Sequence, residues 1–337
     1  MTEEHLKHVY GPVPSRRLGL SLGVDIVPLK NCTLDCVYCQ LGRTSALTVD
    51  RRAFTPIEPV IADVVRALRQ RPTPDFVTVS GSGEPTLHSQ LGELIDGLRA
   101  VTHLPIAIIT NATLLWMPDV RSDCAKADLV LPSLDAGDAE TFRRVNRPHP
   151  GITFEKLVSG LRAFREEYQG QIWLEVFIVK GITDTEDAVR AIADVVDSIK
   201  PTRVQLNTAV RPPAESELQP VRPERMEELA ALFDPPAEVV ADFRSSTVRP
   251  GSGQAGSGRP EPVEGQGPHQ ATRQAARAEV ILEMVSRRPC TVEELAAGLA
   301  LHPNEVVKFV DELRKAGVIT EELRSGRRYY LPARKEQ

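Results

Sequence analysis

An α/β fold built on a parallel sheet is the architecture this sequence predicts, and three observations predict it. Short apolar, β-branched runs alternate with helix-like stretches; polar or thiol-bearing residues follow the ends of the runs; and a Gly/Pro-rich segment divides the chain once, near residue 246. Strands that alternate with helices favour parallel pairing through right-handed crossovers. A partial or full parallel barrel and an open doubly wound sheet both satisfy this pattern, because periodicity orders the elements without deciding whether the sheet closes.

The elements follow in order. Strands are expected at 23–27, 76–80, 106–110, 129–133, 172–179 and 203–207, each a short run bounded by polar or turn-forming residues. Helix-like segments lie between them at 59–69, 91–100, 154–168 and 185–199. The divided organisation is 1–245 for the first domain, 246–270 for a tether and 271–337 for a small module. Residues 246–270 hold six glycines and four prolines, with Val248 and Val263 as their sizeable aliphatics. Such a stretch buries too little apolar surface to offset its chain entropy. In the module, helices are expected at 273–286, from Thr291, whose Thr-Val-Glu-Glu run is a capping box, and from Pro303 to about Gly317. A hairpin follows around Ser325-Gly326.

Composition bounds the class. The chain has 337 residues, 41% hydrophobic and 26% charged, with a formal net charge of −5. That balance argues against a basic coat over the whole surface, though it leaves a local basic patch open. No apolar run reaches membrane-spanning length and the start lacks a signal peptide's apolar segment, so no membrane partner and a cytoplasmic location are expected. Five cysteines occur, three of them in one loop, which is not the spacing of a disulfide framework.

That loop is Asn-Cys-Thr-Leu-Asp-Cys-Val-Tyr-Cys, with Cys32, Cys36 and Cys39 in C-x3-C-x2-C spacing. Three thiolates without a fourth leave one iron of a cubane open to a ligand. A zinc site asks for a fourth Cys or His, and the nearest histidine downstream is His88. A redox C-x2-C pair would leave Cys32 unused.

With Tyr38 before the last cysteine, the loop resembles the cluster motif of the radical S-adenosylmethionine (SAM) superfamily. The resemblance implies a partial parallel (β/α)6 TIM-type barrel and an enzyme whose cofactors are a [4Fe-4S] cluster, held by Cys32, Cys36 and Cys39, and SAM on the fourth iron. Electron transfer into the sulfonium would then give methionine and a 5′-deoxyadenosyl radical that abstracts hydrogen from a substrate the sequence does not name. An external ferredoxin or flavodoxin would deliver the electron. Gly81, Ser82, Gly83 and Glu84, in Gly-Ser-Gly-Glu-Pro, are similar to the superfamily's Gly-Gly-Glu-Pro element that meets the methionine amino group, with Ser82 between the two glycines as a departure. Asn111, Ser133, Asp135 and Tyr38 complete the implied cofactor set; Asn, Ser and Asp at such places also serve as caps and turns.

Weaker candidates surround these. Glu175 sits mid-strand among apolar residues and faces either solvent, the plainer reading, or a barrel interior. Lys180 and Asn207 lie near strand ends, Arg143, Arg144, Arg147 and His149 form a basic run, Cys124 reads as a small packed hydrophobe, and with Cys290 in the other domain no cysteine set remains for a second cluster. The leader Gly-Pro-Val-Pro-Ser-Arg-Arg, with Arg16 and Arg17 offering bidentate donors, resembles a prokaryotic branch grouped with wyosine-type tRNA-modifying enzymes. The chain departs from those enzymes in lacking their additional N-terminal cysteine set, and tRNA base modification stays an alternative. The module resembles a winged helix-turn-helix. It carries 12 Lys and Arg against 10 Asp and Glu, and a basic wing of Arg324, Arg327 and Arg328 admits nucleic acid or protein contact. A second alternative is therefore an iron-sulfur redox-sensing transcription regulator.

Overall fold

The computed structural model describes residues 6–241, 268–299, 301–324 and 326–333; within 268–277 it describes the backbone. The chain opens with β1 (Val9–Ser15) and β2 (Gly19–Val24), then a small pair, β3 (Asn31–Cys32) and β4 (Ala46–Leu47). Next come α1 (Ile57–Gln70), β5 (Phe76–Val79), α2 (Leu91–Val101), β6 (Ile106–Thr110), α3 (Pro118–Cys124) and β7 (Leu129–Pro132). The domain continues through α4 (Ala139–Asn146), α5 (Phe154–Glu167), β8 (Gln171–Ile178), α6 (Glu186–Ile199), β9 (Arg203–Thr208), α7 (Pro223–Ala230) and β10 (Glu238–Val239).

The sheet runs β1-β2-β5-β6-β7-β8-β9-β10. Strands β2, β5, β6, β7, β8 and β9 pair in parallel, as six-strand alternation requires, and β1 adds antiparallel to β2 as an edge. The first expected strand is corrected: it lies at 19–24 rather than 23–27, and the proline-bearing leader before it is itself a strand. Prolines at 12 and 14 are tolerated there because an edge strand has one unpaired side, and a register irregularity falls between Tyr10 and Val13.

Period two sorts the strand faces. Val77, Val79, Ile108, Val130, Leu174 and Leu206 point to the helices and join the main apolar core. Alternate residues, among them Thr78, Ile109, Ser133, Glu175, Phe177 and Asn207, line an interior cavity. Leu18 of the β1–β2 hairpin packs with Ala107, Leu129 and Leu131 in a separate apolar cluster on that inner face. Helix starts are set by side chains: Asp138 accepts from the Glu140 and Thr141 N–H groups, Thr153 from Lys156 and Thr185 from Ala188.

The C-terminal part holds α8 (Pro268–Arg287), α9 (Val292–Leu299), α10 (Pro303–Lys315), β11 (Ile319–Arg324) and β12 (Arg327–Pro332). The capping box forms: the Thr291 N–H donates to the Glu294 carboxylate at 3.0 Å and the Glu294 N–H to Thr291 Oγ1 at 3.3 Å. Gly317 ends α10 at a φ of 68°. Of the expected tether, 246–267 lies outside the described residues, as does Ser325, and α8 begins three residues inside its expected end.

This module packs on the barrel. Tyr10 and Val13 of β1 share an apolar cluster with Ile281, Met284, Leu295 and Phe309. Beyond β9, Arg324 of β11 donates to the carbonyls of Ala209, at 3.1 Å, and Leu218. The module thus spans from the β1 edge to the segment leaving β9. The expectation of Arg324 on an exposed wing is corrected: it is 7% exposed and turned to the barrel, because two carbonyls satisfy its guanidinium there.

Candidate active site

The cysteine loop is held at both its ends. Strands β3 and β4 pair, the Val37 N–H donates to Val145 O at 3.0 Å, and the Asp35 N–H to Asn146 O at 3.0 Å, so α4 fixes the loop's middle. Each sulfur then meets a side-chain N–H donor. Asn111 Nδ2 lies 3.4 Å from Cys32 Sγ, Asn146 Nδ2 3.4 Å from Cys36 Sγ, and Lys30 Nζ 3.1 Å from Cys39 Sγ. Burial pushes the Cys32 thiol up to about 12, with Glu84 adding to the rise and Lys30 opposing it. Burial, then Asp135, drives Cys36 well above the ordinary thiol range.

Thiols in that state are poor nucleophiles, and a bound cation is what turns them into thiolates. Among the described residues no three His, Cys, Asp or Glu side chains gather closely enough to hold a lone metal ion. A cubane asks instead for one ligand per iron, three of which can be thiolates with the fourth iron left open, and for N–H donors to the sulfurs as outer support. Three thiols on one loop, each braced by a donor from 30, 111 or 146, fit that group.

Tyr38 is clamped between the second and third cysteines. Its ring stacks on Phe177 with centroids 3.8 Å apart and planes 9° from parallel, and its hydroxyl donates to Asp135. Asp135 also accepts from Asn146 Nδ2 at 2.7 Å and the Phe177 N–H at 2.9 Å. Burial nonetheless raises its carboxyl to about 6, these hydrogen bonds opposing.

The Gly81–Glu84 turn is needed where it stands. Gly81 has a φ of 148°, and a Cβ on it would fall 2.5 Å from the Asp25 carboxylate; one on Gly83 would fall 2.5 Å from Asn31 O. Ser82 donates to Asp25 through its N–H, at 3.1 Å, and its hydroxyl. The Glu84 side chain turns into the protein: it accepts from the Thr86 N–H (3.0 Å) and hydroxyl (2.6 Å), the Thr110 hydroxyl (2.5 Å) and the Asn111 N–H (2.8 Å). With four donors already on it, the carboxylate ties the end of β5 to the end of β6.

One cavity of about 380 Å³ joins these groups. Cys36, Tyr38, Cys39, Gly81, Asn111 and Ser133 line it toward the loops, whereas Cys32 and Asp135 stand behind its wall. The hairpin inserts Arg16 and Arg17 into the same space. Arg17 donates to Glu175, Asn207 Nδ2 donates to the other Glu175 oxygen at 3.1 Å, and Arg16 donates to Asn207 Oδ1 at 3.1 Å. Glu175 is therefore corrected from solvent to interior: it shares the inner face with Phe177, two residues on. Lys180 and Arg143 and Arg144 are exposed, Arg147 pairs with Glu215, and His149 accepts from the Gly151 N–H in a loop. Cys124 and Cys290 are buried in apolar clusters.

The Radical SAM superfamily model matches residues 26–196, which contain the cysteine loop and the Gly81–Glu84 turn. The chain belongs to the radical SAM superfamily. This radical SAM chain is 39% identical over 227 residues to a UPF0026 protein of Methanocaldococcus jannaschii, covering 67% of this chain and 70% of that protein. It is 34% identical over 320 residues to a protein named GTPase Obg from Brachyspira hyodysenteriae, covering 95% of this chain but spanning only 44% of that longer relative. Among solved structures, TYW1 with a lysine-pyruvate adduct bound is similar in fold, with a TM-score of 0.50 at 16% identity over 68% of this chain and 76% of that one.

The radical SAM chain is an enzyme, and its cofactors are those of the superfamily, a [4Fe-4S] cluster and SAM. Several residues now placed at the site were not among the expected ones: Lys30, Asn146, Phe177, Asp25 and, from the module side, Arg287 and Arg288. Phe177 had a usable signal in its parity with Glu175. Asn146 and Asp25 had none, since their partners are distant in sequence.

Proposed function

We propose that the chain uses Cys32, Cys36 and Cys39 to hold the cluster and the cavity beside them to hold SAM and a substrate. When bound and reduced by an external ferredoxin or flavodoxin, the pair supplies reductive cleavage of the sulfonium and so starts hydrogen abstraction. Lys30, Asn111 and Asn146 brace the three sulfurs. Tyr38, pinned by Phe177 and Asp135, fixes the loop between Cys36 and Cys39 and presents one edge to the cavity. Gly81 and Gly83 keep the β5 turn free of side chains where a ligand approaches backbone, and Ser133 offers a hydroxyl from the next wall. The packed apolar cluster around Leu18 limits water entry from the hairpin end.

The observation that carries this reading is the convergence of a side-chain N–H donor on each of the three sulfurs at the rim of a cavity. Anaerobic reconstitution is expected to give about four irons per chain, and reduction with dithionite to yield methionine and 5′-deoxyadenosine from SAM. Cys36→Ala is expected to lose both. Zinc in place of iron, or SAM recovered intact, would sink the reading. A cytoplasmic setting and a barrel-plus-module division at 245 and 271 belong to the same proposal. No helix among the described residues is long and apolar enough to cross a membrane.

A further inference from the structure

Chemistry at the cysteine end leaves the opposite lining of the cavity unexplained. Arg16, Arg17, Arg211, Arg287 and Arg288 all line it, brought from the hairpin, the segment after β9 and the end of α8. Arg287 is matched by Asp25 at 3.1 Å. The other four guanidinium groups meet two carboxylates: Arg17 pairs with Glu175, while Arg211 and Arg288 share Glu294, the latter at 3.5 Å. Arg16 donates to the neutral amide oxygen of Asn207. Four cations against two anions leave an excess of positive charge in a space largely removed from water.

Two of these groups, Arg16 and Arg211, feel the crowding. Burial and then the neighbouring Arg211 push the Arg16 guanidinium down to about 10, and burial and then Arg288 push Arg211 down. Arg288 Nε is buried with no hydrogen-bond partner. Guanidinium forks in such a state match the planar oxygens of an anion in bidentate fashion. SAM, with a sulfonium and an ammonium against one carboxylate, carries a net positive charge that this end of the cavity disfavours.

We infer that Arg16, Arg211 and Arg288 form the receptor for an anionic group of the substrate, a phosphate or a carboxylate, with the C-terminal module supplying one of the three. The inference rests on the proposed function only in taking this cavity as the place of reaction. Glu294 then has a second role beyond its capping box. It holds Arg211 and Arg288 toward one another, as counter-charge that an incoming anion supplements.

The test uses the full chain as purified anaerobically, with SAM omitted. It is titrated calorimetrically with sodium phosphate and, separately, with sodium acetate, ionic strength being held with sodium chloride. Binding of phosphate alone assigns a phosphoryl-bearing substrate, of acetate alone a carboxylate, and of both a less selective anion receptor; each supports the inference. Arg16→Gln is expected to weaken the bound anion at least tenfold. Glu294→Gln, which removes counter-charge, is expected to tighten it severalfold, a direction that a merely structural glutamate would not give. No binding of either anion by the wild-type chain above the chloride background, or unchanged affinity in Arg16→Gln, would overturn it. SAM cleavage is read on separate samples, so a lost anion site with intact cleavage, or the reverse, shows which of the two readings has failed.

Discussion

Glu84, which the resemblance implies as a cofactor contact, lines the cavity, and in the fold its carboxylate also accepts from four donors, two from Thr86, one from Thr110 and one from Asn111. Glu84→Gln keeps the shape but turns an amide NH2 toward N–H and O–H donors. The expected cost is about 1–3 kcal/mol for the groups left unpaired, read as a lower urea midpoint at unchanged slope. A midpoint equal to wild type would mean that these donors find other acceptors. The three cysteines were legible because their spacing is local and their chemistry belongs to the residue type. The second half of the site was not, since it is made by pairs far apart in sequence: Tyr38 with Asp135 across 97 positions, Asn146 with Cys36 across 110, Arg17 with Glu175 across 158. No short-range pattern encodes such pairs.

Among the elements, the central strands and the long amphipathic helices emerged within a few residues of their expected ends, because alternation and helical period are strong over such runs. The elements that escaped have weaker signals. Helices α3, α4 and α7 span only two turns or so, and β1 carries two prolines that read as loop until its edge position is known. That edge is where α9 docks: a Cβ added to Gly298 would come within 2.4 Å of Pro12 O. Gly298→Val forces the helix off the strand, with an expected loss of about 1–3 kcal/mol. The check is a lower thermal midpoint together with faster hydrogen exchange at 9–15, while iron content stays that of wild type. Equal exchange across β1 would show that α9 does not depend on this close approach.

At the scale of the whole molecule, composition suggests where the chain divides but cannot say whether the elements on either side touch. Docking is decided by Tyr10 and Val13 on one side and Ile281, Met284 and Phe309 on the other. Charged contacts reinforce the apolar one, among them Arg211 with Glu294, Arg287 with Asp25, Arg288 with the Pro14 carbonyl, and Arg324 with the Ala209 and Leu218 carbonyls. Each removes a guanidinium from water only because a partner across the junction accepts its protons, so separating the surfaces would cost those hydrogen bonds as well as the apolar burial. The covalent link then mainly raises the local concentration of one surface about the other. A protease site inserted after Gly258 is accordingly expected, once cut, to leave two fragments that co-elute on gel filtration at micromolar concentration. They should separate when Arg324→Ala is combined with Arg211→Ala. Fragments that separate from the wild-type sequence would mean that the module closes the open side of the barrel only while tied to it, and that the arginine end of the cavity is assembled by the tether rather than by the interface.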